Sequence, residues 1–160
     1  MAFKLISPVF REGGTITSKY TCQGQDLSPP LTWSDIPSGC KSFALIVEDP
    51  DASSGTMVHW VLYNIPSEAC GLREGILPHA ELADKSRHGK NGIGELGYVG
   101  PCPPIGSTHR YVFKLYALYE VLELPAGATK ERLLRAMKGH ILAETELVGR
   151  YCAKAGADAL

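Results

Sequence analysis

The chain has 160 residues, of which 44% are hydrophobic and 21% charged, and its formal net charge is −1. That length and balance suit one domain, residues 1–160, with a core of its own, and they exclude the broad basic footprint of a nucleic-acid-binding protein. No apolar run approaches the roughly 20 residues that span a bilayer. Met1 to Ile6 runs straight into Ser7-Pro8 without the apolar stretch of a secretory signal, so a soluble, cytoplasmic protein is expected.

Seventeen glycines and eleven prolines, spread along the chain, predict many short strands joined by turns. Phe3 to Ile6 reads as a short strand and Glu12-Gly13-Gly14 as a turn. Thr15 to Thr21 is rich in β-branched and aromatic residues, which favour extended structure. Asp26 to Pro30 is a loop, because neither Pro29 nor Pro30 can donate to a ladder. Leu31-Thr32-Trp33 is short and extended. Ser42 to Glu48 is a nearly continuous apolar run, which predicts a strand covered on both faces.

A second strong strand runs from Val58 to Ile65 and stops at Pro66. Residues 67–100 carry seven glycines and little periodicity, so they read as a long irregular stretch of the kind that is functional or mobile. Gly100 to Gly106 is a stiff, proline-rich loop, and Tyr111 to Tyr119 alternates as a third strong strand. Thr129 as N-cap, Glu131 in the first turn, and Leu133, Leu134 and Met137 on one face predict a helix over 129–138, ended by Gly139. Beyond it, Ile141, Ala143, Leu147 and Tyr151 share one parity while Glu144, Glu146 and Arg150 share the other, closer to a strand than to a helix. The expected architecture is mainly β, a sandwich with few helices.

Cys22, Cys40, Cys70, Cys102 and Cys152 are odd in number and contain no C-x-x-C pair, so five reduced thiols packed as small apolar residues are expected. His79 and His88 lie in the glycine-rich stretch and read as solvated. Lys130, Arg132, Arg135 and Lys138 read as a solvated helix face.

The chemistry concentrates in Asp49-Pro50-Asp51, His59 and His109. Pro50 disfavours helix at Asp49, so a strand ends there in an acidic turn. Two later strands each begin with a histidine after an irregular segment. If those strands lie side by side, Asp49, Asp51, His59, His109 and Tyr111 share one rim of the sheet. Carboxylates orient imidazoles and favour the protonated ring. Imidazole, tyrosine hydroxyl and backbone N–H groups of a Gly/Pro-rich turn can then donate to a small oxyanion without lysine or arginine. The same residues admit metal ligation, but at no known metal spacing. They also admit a His–Asp general base, but no G-x-S-x-G elbow is present and Cys102 has no evident activating base. Each polar residue could also simply satisfy a strand end.

Asp49-Pro50-Asp51-Ala52, His59-Trp60 with Asn64, Gly100-Pro101-Cys102-Pro103-Pro104 and His109-Arg110-Tyr111-Val112-Phe113 resemble the signature blocks of the phosphatidylethanolamine-binding protein family. Ser28 to Trp33 and Glu146 to Tyr151 agree, and the cysteine in the proline loop is similar to the bacterial and archaeal Raf-kinase-inhibitor-like branch. The resemblance implies an antiparallel β-sandwich with a few peripheral helices. It also implies a pocket for phosphate, acetate or a phospholipid headgroup, built from Asp49, Asp51, His59, Pro103, Pro104, His109 and Tyr111. No cofactor, no metal and no catalytic residue is expected, and the resemblance points to a homodimer. The expected function is binding of a small anionic ligand. The alternatives are a protein-interaction module that inhibits a kinase or protease, and a weak hydrolase. Three positions depart from the family pattern. Ser53 stands where a proline is usual, the Pro104 to His109 loop looks short, and no aromatic occurs among Gly55, Thr56 and Met57.

Overall fold

The apolar run that opens at Ser42 forms the centre of the larger of two sheets in the computed structural model, which describes residues 2–155. In chain order the elements are β1 (Lys4–Ile6), β2 (Leu31–Ser34), β3 (Ser42–Asp49), β4 (Met57–Pro66), β5 (Gly71–Leu72), β6 (Arg87–His88), β7 (Thr108–Leu118), α1 (Lys130–Met137) and β8 (Ile141–Cys152). The five-stranded sheet has the order β6-β4-β3-β7-β8 and the three-stranded sheet the order β1-β2-β5. All of these strand pairings are antiparallel.

Both faces of β3 are covered, as its unbroken apolar run requires, and all eight of its residues are buried. Phe43, Leu45 and Val47 point into the core between the sheets, with Leu5, Trp33, Trp60, Phe113 and Leu147. Ala44 and Ile46 point the other way, into a second core closed by Leu122, Leu124, Leu133 and Met137. Strand alternation thus divides one apolar segment between two cores. Burying side chains such as Leu133 and Met137 stabilises by about 1.5–3 kcal/mol each, which is what fastens α1 to the sheet. Thr129 caps this helix by accepting from the Arg132 N–H at 3.2 Å, a contact worth about 1 kcal/mol.

Four local expectations are corrected. Thr15 to Thr21 is not a strand: Thr15 makes a single bridge to Arg150, and Ser18–Tyr20 is a 3-10 turn. His88 is not solvated. It is fully buried, its Nε2 accepts from the Trp60 indole N–H at 3.0 Å, and burial lowers its pKa. Lys130 is not part of a solvated face, because Glu48 takes its ammonium. Leu134 is exposed rather than on the helix's apolar face.

Candidate functional site

β4 and β7 do not lie side by side, because β3 runs between them. Both are antiparallel to β3, so the first residues of each gather where β3 ends at Asp49. The topology therefore brings His59 and His109 to one rim by a different route from direct pairing. A bulge then re-aims His59. Val47 pairs with Trp60 and Glu48 with Val58, which leaves His59 as the unmatched residue. Its ring packs edge-on against Tyr111, with centroids 5.2 Å apart.

The hydrogen bonds fix which ring nitrogens remain. His59 Nδ1 donates to the Val99 carbonyl at 2.6 Å, and the Val99 N–H returns a bond to the His59 carbonyl at 2.9 Å. Nε2 of His59 makes no hydrogen bond among the described residues. His109 Nδ1 donates to Asp49 Oδ2 at 2.7 Å, while Asp49 Oδ1 accepts the Asp51 N–H at 2.7 Å. Asp49 is thus held on both oxygens and is only 3% exposed. Each imidazole keeps its second nitrogen for something else.

Burial sets the protonation states. It pushes the His59 pKa down, against the opposing pull of the Val99 carbonyl and of Asp49, so this ring is neutral near pH 7. Burial, with Asp49 as the next cause, holds the Tyr111 hydroxyl far above its ordinary range, so it keeps its proton as a donor. At His59 the pull of the carboxylates toward the protonated ring is thus outweighed by burial.

These groups line a cavity of about 340 Å³. Asp49, His59, His109, Tyr111, Pro103 and Pro104 are all on its wall. Asp51 is not. Its carboxylate accepts from the Arg110 backbone N–H at 2.9 Å, from Nε at 3.0 Å and from Nη2 at 2.8 Å. That fork straps the acidic turn to the start of β7, and Arg110 pulls the Asp51 pKa down to about 2. Asn64, also in the signature, sits away from the cavity. It exchanges two hydrogen bonds of 2.9 Å with the Leu122 backbone.

Residue-type reasoning missed the apolar side of the cavity, formed by Met57, Ile93 and Val99, and the hydroxyls of Ser53 and Ser54 on its acidic-turn side. It also missed why Gly100 stands there. A Cβ at that position would come within 2.2 Å of Asp26 Oδ1 and 2.5 Å of the Tyr20 carbonyl, so only glycine allows the approach.

The largest correction concerns sulfur. Cys22 and Cys102, 80 residues apart, form a disulfide with Cα atoms 5.5 Å apart, while Cys40, Cys70 and Cys152 are free. Pairing of this kind cannot be deduced from spacing along one chain. Cys102 lines the cavity. No cluster of three or more His, Cys, Asp or Glu suited to a metal occurs among the described residues. A larger cleft of about 700 Å³ beside Tyr119 and His140 lacks the convergent buried donors of this rim.

Two antiparallel sheets with a His–Asp-lined cavity at one rim define a class of β-sandwich ligand-binding proteins, and comparison with known proteins places the chain within it. Residues 6–152 match the family model described as phosphatidylethanolamine-binding protein. The chain is 51% identical over 142 residues to a UPF0098 protein of Methanothermobacter thermautotrophicus, covering 89% of this chain and 93% of that one. A UPF0098 protein of Chlamydia muridarum is 48% identical over 153 residues, covering 92% and 97%. Among solved structures, a phosphatidylethanolamine-binding protein homolog from Chlamydia trachomatis superposes with a TM-score of 0.88 at 44% identity, covering 96% of this chain and 99% of that one. YbcL of Escherichia coli gives a TM-score of 0.83 at 30% identity, covering 95% and 99%. The chain belongs to the phosphatidylethanolamine-binding protein family, in its bacterial and archaeal branch. No helix among the described residues is long and apolar enough to cross a membrane.

Proposed function

We propose that this protein binds a small anionic ligand, such as phosphate, acetate or the phosphorylated headgroup of a phospholipid, in the rim cavity. Family membership supports a ligand-binding role. The observation that carries the anionic reading is the pair of imidazoles, each with one nitrogen committed to the protein and the other left over, in a cavity that Tyr111 also lines. Tyr111 donates its O–H, and His109 Nε2 donates when the ring carries both protons. His59 Nε2 accepts from a ligand that brings its own proton, or donates once it has taken one up. Binding is therefore coupled to proton uptake at the two imidazoles.

Binding rather than turnover is favoured because Cys102, the sulfur on the wall, is held in a disulfide. Ser53 and Ser54 make no hydrogen bond to a histidine or carboxylate among the described residues, so neither hydroxyl has a base. The proposal keeps the protein in the cytoplasm and as a homodimer, which sedimentation at micromolar concentration checks.

Titration calorimetry with inorganic phosphate tests the reading. The His59→Ala/His109→Ala double variant, folded by circular dichroism, is expected to lose measurable binding. Unchanged heats would overturn it. A second reading, docking of a phosphorylated side chain of a partner protein, is favoured by Ile93 on the cavity lining and by Ile105, next in the chain to the lining Pro104, 56% and 65% exposed. Phosphoserine peptides with apolar flanks would then bind more tightly than phosphoserine alone.

A further inference from the structure

We propose that Cys22 and Cys102 are a reversible thiol–disulfide exchange site that sets the position of one cavity wall, with a dithiol as co-reactant. The effect on ligand affinity rests on the anion-binding reading above, whereas the exchange chemistry and the wall movement do not.

The wall is the segment from Tyr98 to Pro104, and it is clasped to the segment from Tyr20 to Asp26. The Tyr98 hydroxyl donates to the Tyr20 carbonyl at 2.7 Å, the Cys22 N–H to the Pro101 carbonyl at 3.1 Å, and the Gly100 N–H to Asp26 Oδ1 at 3.0 Å. The disulfide is the covalent member of that clasp. Residues 98–104 belong to no strand or helix, and Pro101, Pro103 and Pro104 have no N–H to donate, so the wall has little hydrogen bonding of its own. Its position is set by the clasp on one side and by the Val99–His59 pair on the other.

That position matters to the site twice over. Val99 on this wall holds His59 Nδ1, and Cys102 and Pro103 themselves line the cavity. Cys22 and Cys102 are both exposed, whereas Cys40 and Cys152 are half-buried. An exposed disulfide is open to an attacking thiolate, the requirement for exchange.

A thiolate of the dithiol attacks one sulfur of the pair, forms a mixed disulfide and expels the other sulfur as a thiolate, which takes a proton. The second thiol of the reductant, losing its proton, attacks the mixed disulfide and releases the remaining cysteine. The dithiol leaves as a cyclic disulfide and two electrons have passed to Cys22 and Cys102. A small disulfide oxidant reverses the sequence. After reduction the wall keeps only the three hydrogen bonds of the clasp and the two between Val99 and His59, the Val99 carbonyl is held less firmly against His59, and anion affinity falls.

The test uses the full chain, oxidised or treated with dithiothreitol, with thiols counted by alkylation under denaturing conditions. Three alkylated thiols are expected before treatment and five after, returning to three with oxidised glutathione. Hydrogen exchange at Cys22, Val99 and Gly100, whose N–H groups are bonded in the clasp or to His59, is expected to accelerate at least tenfold on reduction. Phosphate affinity by calorimetry is expected to fall on the order of tenfold, as pre-organisation is lost. The Cys102→Ser variant should match the reduced protein and ignore dithiothreitol. Five thiols before treatment, or exchange rates unchanged on reduction, would overturn the proposal. Equal phosphate affinity in both forms would overturn the affinity effect while leaving anion binding intact. Absence of phosphate binding in either form would remove the anion reading, and hydrogen exchange alone would then decide the switch.

Discussion

Glu48 and Asp49 are consecutive carboxylates at the end of one strand, and alternation sends them to opposite faces of the sheet. On the helix side, Glu48 gives one oxygen to Lys114 at 2.6 Å and the other to Lys130 at the start of α1. On the sandwich side, Asp49 gives one oxygen to His109 and the other to a backbone N–H. Both carboxylates are buried and both are saturated. The difference lies in their partners. An ammonium has no acceptor to offer and here ends against the carboxylate, so the Glu48 cluster is closed. An imidazole anchored at Nδ1 still presents Nε2, so the Asp49 cluster continues into a cavity. A buried charge paired to lysine fastens structure, whereas one paired to histidine can serve as the base of a binding site.

The first way to break this contrast is Glu48→Gln. Removing one member of a buried ion cluster leaves two lysines facing each other under α1, and a loss of about 2 kcal/mol is expected, below the usual 3–5 because both lysines reach solvent. Phosphate affinity should stay within twofold of the parent. Burial alone would raise the Glu48 carboxyl, yet Lys114 and Lys130 hold its pKa below the ordinary value. Its folded value is thus depressed, so the contribution is present above the unfolded value near 4.5 and is lost as pH falls through the folded one. Urea unfolding at pH 7 and at pH 3 measures this, and the gap between parent and variant should narrow at the lower pH. A variant as stable as the parent at pH 7 would mean that the cluster adds nothing to the hold that Leu133 and Met137 give the helix.

The cavity side is sharpened by pH. Burial depresses the His59 pKa, so in the free protein this ring stays neutral below its ordinary 6.5. Between 6.5 and the folded value the unfolded chain binds more protons, and stability falls as pH drops through that window. A bound anion favours the protonated ring and opposes the loss. With diethyl phosphate, which stays singly charged throughout, affinity should rise about tenfold per pH unit lost across the titration, the limit for one coupled proton. In His59→Gln that slope should become shallower, with any remainder carried by His109. A parent profile flat from pH 7.5 to 5 would show that neutral donors alone hold the ligand.

How much of this was legible in the chain follows from the range of the forces involved. β3, β4 and β7 were readable because apolar runs bounded by proline reflect burial that each strand carries in its own residues. α1 was readable from Thr129, a cap that acts over three residues. β8 was readable from parity alone. The rim was reached through Asp49, His59 and His109 opening or closing strands, although the strand between them was not foreseen. What escaped depends on partners distant in the chain. Cys22 meets Cys102 across 80 residues, and His88 meets Trp60 across 28. Lys130 meets Glu48 across 82. None of these leaves a local pattern, since a thiol, an imidazole or an ammonium looks the same in a sequence whether it faces water or a partner. The bulge that turns His59 toward Tyr111 is equally silent, because it is a property of two registers and not of one strand.

Asp51 gives the smallest expected effect and the finest test of where the binding site stops. As part of the acidic pair it is a ligand candidate, but every hydrogen bond its carboxylate makes goes to Arg110, outside the cavity. Asp51→Asn keeps the side chain's shape and weakens an exposed pair, so phosphate affinity should fall by less than about fivefold, the range of such surface contacts. Arg110 depresses the Asp51 pKa to about 2, so its contribution to stability is complete above the unfolded value of 3.8 and is lost as pH falls through about 2. Parent and variant should therefore differ by a constant amount from pH 5 to 7, unlike the His59 profile. Loss of binding in Asp51→Asn with the fold intact would move this carboxylate from the strap to the ligand, and the two aspartates flanking Pro50 would then act as one unit.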